Sequence, residues 1–254
     1  MQTSESINAT KLFNKVPEVT LIFWVIKIMA TTVGETAADF LAFNMRVGMA
    51  NTTYIMGGLL LICLTTQLKA KQYKPWLYWL TVVLISIFGT LLTDNLVDNL
   101  GVSLVVSTIG FSLALLVAFI VWFVSEKTLS IHTIYTRKRE LFYWSAILFT
   151  FALGTAAGDL FAEGYGLGYA KSALVFGVLI GVVTGVYYGF QANAVAAFWF
   201  AYILTRPFGA SCGDFLSQSH QYGGLGLGTV NISILFLVTI LGLVVYLTRQ
   251  KQAK

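Results

Sequence analysis

FWVIKIMATTVGETAADFL, residues 23–41, returns without a gap three more times: YWLTVVLISIFGTLLTDNL at 78–96, YWSAILFTFALGTAAGDLF at 143–161 and FWFAYILTRPFGASCGDFL at 198–216. Each copy reads as an aromatic, a Trp, nine residues, a Gly, four residues and an Asp. The tryptophans are Trp24, Trp79, Trp144 and Trp199; the glycines Gly34, Gly89, Gly154 and Gly209; the aspartates Asp39, Asp94, Asp159 and Asp214. Copies lie 55 residues apart within each half of the chain and 65 apart between halves, the extra ten falling in a basic stretch at 126–140. Two rounds of duplication give that spacing, and a period of this length makes a two-element unit the building block.

Composition sets the solvent. Of the residues 57% are hydrophobic and 11% charged, with a mean hydropathy of +0.78; a soluble domain carries about 25% charged residues. Apolar stretches at roughly 18–44, 51–68, 76–97, 103–125, 141–162, 172–190, 194–216 and 228–248 are each long enough to cross a hydrocarbon core about 30 Å thick. In lipid the backbone must satisfy its own hydrogen bonds, so these stretches should be helical. The expected fold is an all-α membrane protein of eight transmembrane helices. A polar tail (1–17) leads into a first half (18–125), a basic loop (126–140), a second half (141–248) and a short tail (249–254).

Charge placement orients that arrangement. Twelve of the 16 Lys and Arg fall in the tails and in the loops at 69–74 and 127–139, while Arg46 and Lys171 lie on the opposite side. The positive-inside rule then puts both termini in the cytoplasm, and the basic surplus reads as topology, with no nucleic-acid partner expected. The first 17 residues are polar and the first apolar stretch is long enough to remain as a span, so no cleavable signal is expected. Cys63 and Cys212 both fall in spans, which argues against a disulfide framework.

Because each unit holds two spans, every copy enters from the same side. The copies are therefore parallel repeats related by an axis along the membrane normal, and a pseudo-fourfold ring of hairpins is expected. Each repeat Trp should sit near the cytoplasmic interface, where amphipathic rings belong. Each Asp, about 22 Å further up at 1.5 Å per residue, should lie towards the outer face. With this four-fold Trp–Gly–Asp pattern the chain, from about Val16 to Tyr246, resembles bacterial integral membrane proteins of four tandem two-span repeats with a characteristic Trp, a repeat family of unknown function. The resemblance implies the architecture and a bacterial inner membrane, and implies no mechanism.

Seven of the 11 acids lie in or just beyond the repeat segments: Glu35, Asp39, Asp94, Asp98, Asp159, Glu163 and Asp214. Carboxylates inside a bilayer are costly and face protein or water when retained. Positions four apart share a helix face, which places Glu35, Thr90 and Thr155 one turn below an Asp, with Ala210 and the adjacent Ser211 in the fourth copy. Carboxylates and hydroxyls suit hard cations, and acidic rings select cations. Asp39, Asp94, Asp159 and Asp214 are thus candidate metal ligands, and Glu35, Thr90, Thr155 and Ser211 candidate pathway residues. The competing structural reading makes each Asp the cap of a helix that restarts after the glycine.

Lys27 and Arg206 break the four-fold equivalence inside spans, each eight residues before an acid of its own helix, Glu35 and Asp214 respectively. They are candidates for ion pairing, gating or charge compensation, or for snorkelling to the interface. Gly177, Gly181, Gly185 and Gly189 form a small-residue stripe expected to receive another helix, and Pro207 should kink its helix. The G-x-S-x-G match at 209–213 has no strand-to-helix context, and His132 and His220 are too far apart for a zinc site. No enzyme chemistry is expected. The leading expectation is a transporter or channel for an inorganic cation, Mn²⁺ slightly preferred, with at most a bound divalent metal as cofactor. The partners are then the lipid bilayer and the cation, and an oligomer is compatible with them. The alternative is a non-catalytic membrane scaffold or accessory subunit that binds a partner, lipid or pigment.

Overall fold

The computed structural model describes residues 14–252 and is all-helical over that range. Eight long helices follow one another: α1 (Leu21–Asp39), α2 (Met49–Lys69), α3 (Pro75–Asp94), α4 (Leu104–Glu126), α5 (Arg137–Asp159), α6 (Tyr169–Phe190), α7 (Ala194–Ser217) and α8 (Thr229–Gln252). Their starts follow local chemistry. Thr20, Ser103, Thr136 and Asn193 accept from first-turn amides of α1, α4, α5 and α7, and Pro75 opens α3 where its missing N–H costs nothing. Seven of the eight are long and apolar enough to cross a membrane, as in a multi-pass membrane protein. The exception is α7, which carries Arg206 and Pro207. It is enclosed by other helices, so its polar groups meet protein instead of lipid.

The odd-numbered helices form the core. α1 packs on α3, α3 on α5, α5 on α7 and α7 on α1. The repeat glycines are the crossing points, and the register is the same each time. A Cβ at Gly34 would collide with Ser86, at Gly89 it would stand 2.8 Å from the Phe151 Cβ, at Gly154 it would strike Arg206, and at Gly209 it would strike Thr31. Each obstructing residue sits three places before the glycine of the next unit. Four identical contacts therefore close a ring, and only glycine lets these backbones approach so closely.

A second ring of matched contacts lies at the Trp level. Phe23 meets Trp79 with ring centroids 5.5 Å apart, Tyr78 meets Trp144 at 5.4 Å, Tyr143 meets Trp199 at 6.1 Å and Phe198 meets Trp24 at 5.7 Å. Trp79, Trp144 and Trp199 are buried in an aromatic collar, because each is wedged between neighbouring core helices.

Even-numbered helices lie outside. Each leans on the core helix of the following unit, α2 on α3, α4 on α5, α6 on α7 and α8 on α1, and touches its own unit's core helix little. Cys63–Thr81 (3.1 Å) and Thr36–Ser233 (2.7 Å) hydrogen bonds mark two of these seams. The outer helices are largely exposed to their surroundings. The Gly177–Gly189 stripe departs from expectation: Gly177 touches Phe208, but nothing lies within 4 Å of a Cβ at Gly181, Gly185 or Gly189. α6 rests on α7 through another face.

None of the repeat aspartates caps a restarted helix. α1, α3, α5 and α7 run unbroken through the repeat glycines, and Pro207 does not end α7. After Asp39, Asp94 and Asp159 the backbone widens into one π-helical turn, at Phe40–Asn44, Asn95–Asn99 and Leu160–Gly164. Gly48 and Gly168, at positive φ, then turn the chain into the next helix. At the other end, residues 14–16 are not a free tail. Lys15 is buried against Glu140 at 2.6 Å, and its amide donates to the Ile134 carbonyl; residues 1–13 of the expected polar tail lie outside the described residues.

Candidate functional site

A polar knot fills the centre of the core ring, one turn below the aspartates. Arg206 of α7 is fully buried. Its Nη2 donates to Glu35 Oε2 at 3.1 Å, to Thr155 Oγ1 at 2.6 Å and to Thr90 Oγ1, while Nη1 donates to the Thr31 carbonyl at 3.2 Å. Thr90 also donates to Glu35 Oε2 at 3.4 Å. One guanidinium thus ties α1, α3, α5 and α7 together. Glu35, Thr90 and Thr155 occupy one repeat position, immediately after the glycine, and Arg206 reaches them from the fourth helix, whose Ala210 contributes nothing polar there.

The pairing differs from a same-helix reading. Arg206 meets Glu35 of α1, not Asp214 of α7, and Lys27 does not pair with Glu35. Eight residues along a helix span about 12 Å, beyond the reach of such pairs, whereas the glycine crossings bring neighbouring helices into direct contact. Lys27 Nζ is fully buried and has no hydrogen-bond partner. It lies 4.2 Å from the Phe151 ring centroid and 4.3 Å from that of Tyr202. It does not snorkel.

Above the knot, the repeat carboxylates face one another electrostatically. Asp94 is repelled by Glu35, Asp159 and Asp39; Asp214 by Glu35, Asp159 and Asp39; and Asp159 also feels Glu163 and Arg206. Asp214 is buried and Asp39, Asp94 and Asp159 half-buried. Gln218 donates to Asp39 at 3.2 Å. Among the described residues, however, no three Asp, Glu, His or Cys side chains converge closely enough to hold a metal ion. Each Asp comes from a different helix around the ring, and the four do not close into a chelating cluster. Ser211 is buried with an unpartnered hydroxyl and does not join the knot.

Sequence patterning missed Phe151, Tyr202 and Gln218, which are apolar, aromatic or outside the repeat. It also missed a cavity of about 1230 Å³ at the end of the bundle that carries Asn14 and Lys251. Phe23, Trp24, Phe198, Tyr187 and Thr205 are among its walls, and it reaches Ile28 and Thr205, one residue before Arg206.

The profile of the family described as Repeat of Unknown Function (DUF347) matches four segments: residues 22–73, 77–128, 142–193 and 197–253. The chain belongs to that family. Each DUF347 segment starts beside an aromatic–Trp pair and takes in one core helix and the outer helix that follows it. Searches of curated proteins and of solved structures return no match. For this DUF347 protein, the site's chemistry must come from its own side chains.

Proposed function

We propose that this chain is a carrier for a small inorganic cation, a divalent ion such as Mn²⁺ preferred, in the bacterial cytoplasmic membrane. All eight helices span the bilayer, α7 within the ring, and both termini lie in the cytoplasm. The four units are parallel repeats about an axis along the membrane normal. The mouth formed by Asp39, Asp94, Asp159 and Asp214 attracts the cation from outside. Because the carboxylates stay apart, they suit an ion that keeps part of its water shell.

The observation that carries this reading is the knot beneath the mouth, where Arg206 and Glu35 close the axis between acids above and a cavity below. A fixed guanidinium on the path opposes a continuously open cation pore, so a gated carrier fits better than a channel. Vesicles containing the purified protein should take up Mn²⁺, and replacing all four aspartates with Asn should abolish uptake. Undiminished uptake by the Asn variant rejects the proposal.

The aromatic cavity supports a second reading, a non-transporting subunit holding a lipid or pigment. A stoichiometric organic ligand copurifying with the protein, together with absence of ion flux, would favour it.

A further inference from the structure

The knot leaves one charged side chain unused. Lys27 sits one helical turn below the Arg206 level, at the repeat position of Val82, Ile147 and Tyr202 on the other core helices. Among the described residues every other buried cation has an acceptor: Lys15 has Glu140 and Arg206 has Glu35. Lys27 has none. Its surroundings are accounted for on every side. α1 itself offers Glu35, two turns away and engaged by Arg206. α3 and α5 offer the Tyr78 and Tyr143 hydroxyls, bonded to each other at 2.5 Å. α7 offers Tyr202, whose hydroxyl is unpartnered, and Arg206, which repels Lys27. α8 presents no acid, and its Arg249 and Lys251 lie in its last turn, at the far end.

An ammonium in this place would forfeit all its hydrogen bonds to water, and two aromatic faces return only part of that loss. This packing therefore suits the neutral amine. The cavity comes close to the amine. Phe23 and Phe198 line the cavity, and each lies against Tyr202, with ring centroids 6.4 and 5.4 Å apart. One ring thus separates the cavity walls from Nζ.

We propose that Lys27 is a proton-exchange site loaded from the cytoplasmic cavity, so that the protein exchanges its cation against protons. The proposal rests on the carrier reading above. In the step itself, the Nζ lone pair takes H⁺ from cavity water to give –NH₃⁺ and returns it to the same or the opposite side. The new charge stands directly below Arg206. It pushes the guanidinium away and competes for Glu35, loosening the knot that closes the axis. Proton arrival and gate opening become one event.

The test uses purified full-length protein in vesicles with a pH-sensitive dye and a Mn²⁺-quenched dye inside. An imposed pH gradient should drive Mn²⁺ movement, and Mn²⁺ entry should shift the internal pH. Lys27→Met keeps the length and packing of the side chain without the amine, and Lys27→Arg keeps a charge that does not titrate. Lys27→Met should elute and melt as the parent does and Lys27→Arg, whose fixed charge has no acceptor there, should melt lower; both should lose the pH signal to the level of empty vesicles. Proton movement that persists in both variants overturns the proposal while leaving the carrier reading intact. Lys27-dependent proton movement without Mn²⁺ movement keeps the proton site and rejects Mn²⁺ as cargo. Absence of both fluxes in the parent rejects both.

Discussion

Arg206 Nη2 of α7 lies 3.1 Å from Glu35 Oε2 of α1, and the same nitrogen donates to hydroxyls on α3 and α5. Removing one charge of a buried pair strands the other, at about 3–5 kcal/mol, whereas replacing both with apolar groups is often close to neutral. Glu35→Gln should therefore lower stability by about that amount, read as thermal unfolding in detergent. The double variant Glu35→Met/Arg206→Met should recover much of it. Losses that simply add across the two single variants would contradict the coupling.

The glycines divide into two classes by what stands beside them. A methyl group on Gly154 or Gly209 meets Arg206 or Thr31 at a helix crossing, and overpacking of this kind costs about 1–3 kcal/mol. Gly154→Ala and Gly209→Ala should unfold at clearly lower temperature than the parent. Gly181 has open space around it. There Gly181→Ala should be neutral or stabilising by up to about 1 kcal/mol, the helix-propensity difference. Equal sensitivity at Gly181 and Gly209 would refute the ring of crossings.

Those two glycine sets also show how far the sequence could be read. Periodicity marks where helices run, and the gap-free repeat marks which positions are equivalent, so eight helices and four units were legible. Gly177–Gly189 and the repeat glycines look alike as text, since both offer small residues at helical spacing. Only the three-dimensional neighbours decide which set is a crossing. Arg206 carries the same lesson. Its same-helix acid Asp214 is the nearest in sequence, but α1 crosses α7 at Gly209 and brings Glu35 within reach. The unpaired state of Lys27 was equally hidden, because what surrounds it comes from α5 and α7, far away in the chain.

Lys15 and Glu140 join the start of the chain to the start of α5. The pair is 2.6 Å long, both side chains are buried, and Gln67 of α2 donates to the second carboxylate oxygen at 3.2 Å. Lys15→Met should cost on the order of 3 kcal/mol by leaving Glu140 buried without its counter-charge. Lys138–Glu126, at 3.2 Å, has its lysine exposed to 62%, and Lys138→Ala should change stability by less than about 1 kcal/mol. Thermal unfolding of the two variants side by side checks the contrast. Similar losses would mean that the Lys15 pair adds no more than a surface contact.

The acidic mouth should be felt at a distance. Asp39, Asp94 and Asp159 are half-buried and Asp214 is buried, so on the carrier proposal their field should emerge through a low-dielectric surround and raise the local concentration of cations. Added salt shortens the reach of that field, to about 10 Å at 0.1 M ionic strength and about 3 Å at 1 M. Initial Mn²⁺ uptake at low Mn²⁺ should therefore fall as inert salt is added, and fall less steeply in each single Asp→Asn variant. Each variant should raise the half-saturating Mn²⁺ concentration. Asp98 is exposed and outside the four-fold set, so Asp98→Asn should retain most of the parent's salt dependence. Were Asp98→Asn to flatten it as much as Asp94→Asn, the attraction would belong to general surface charge instead of the mouth.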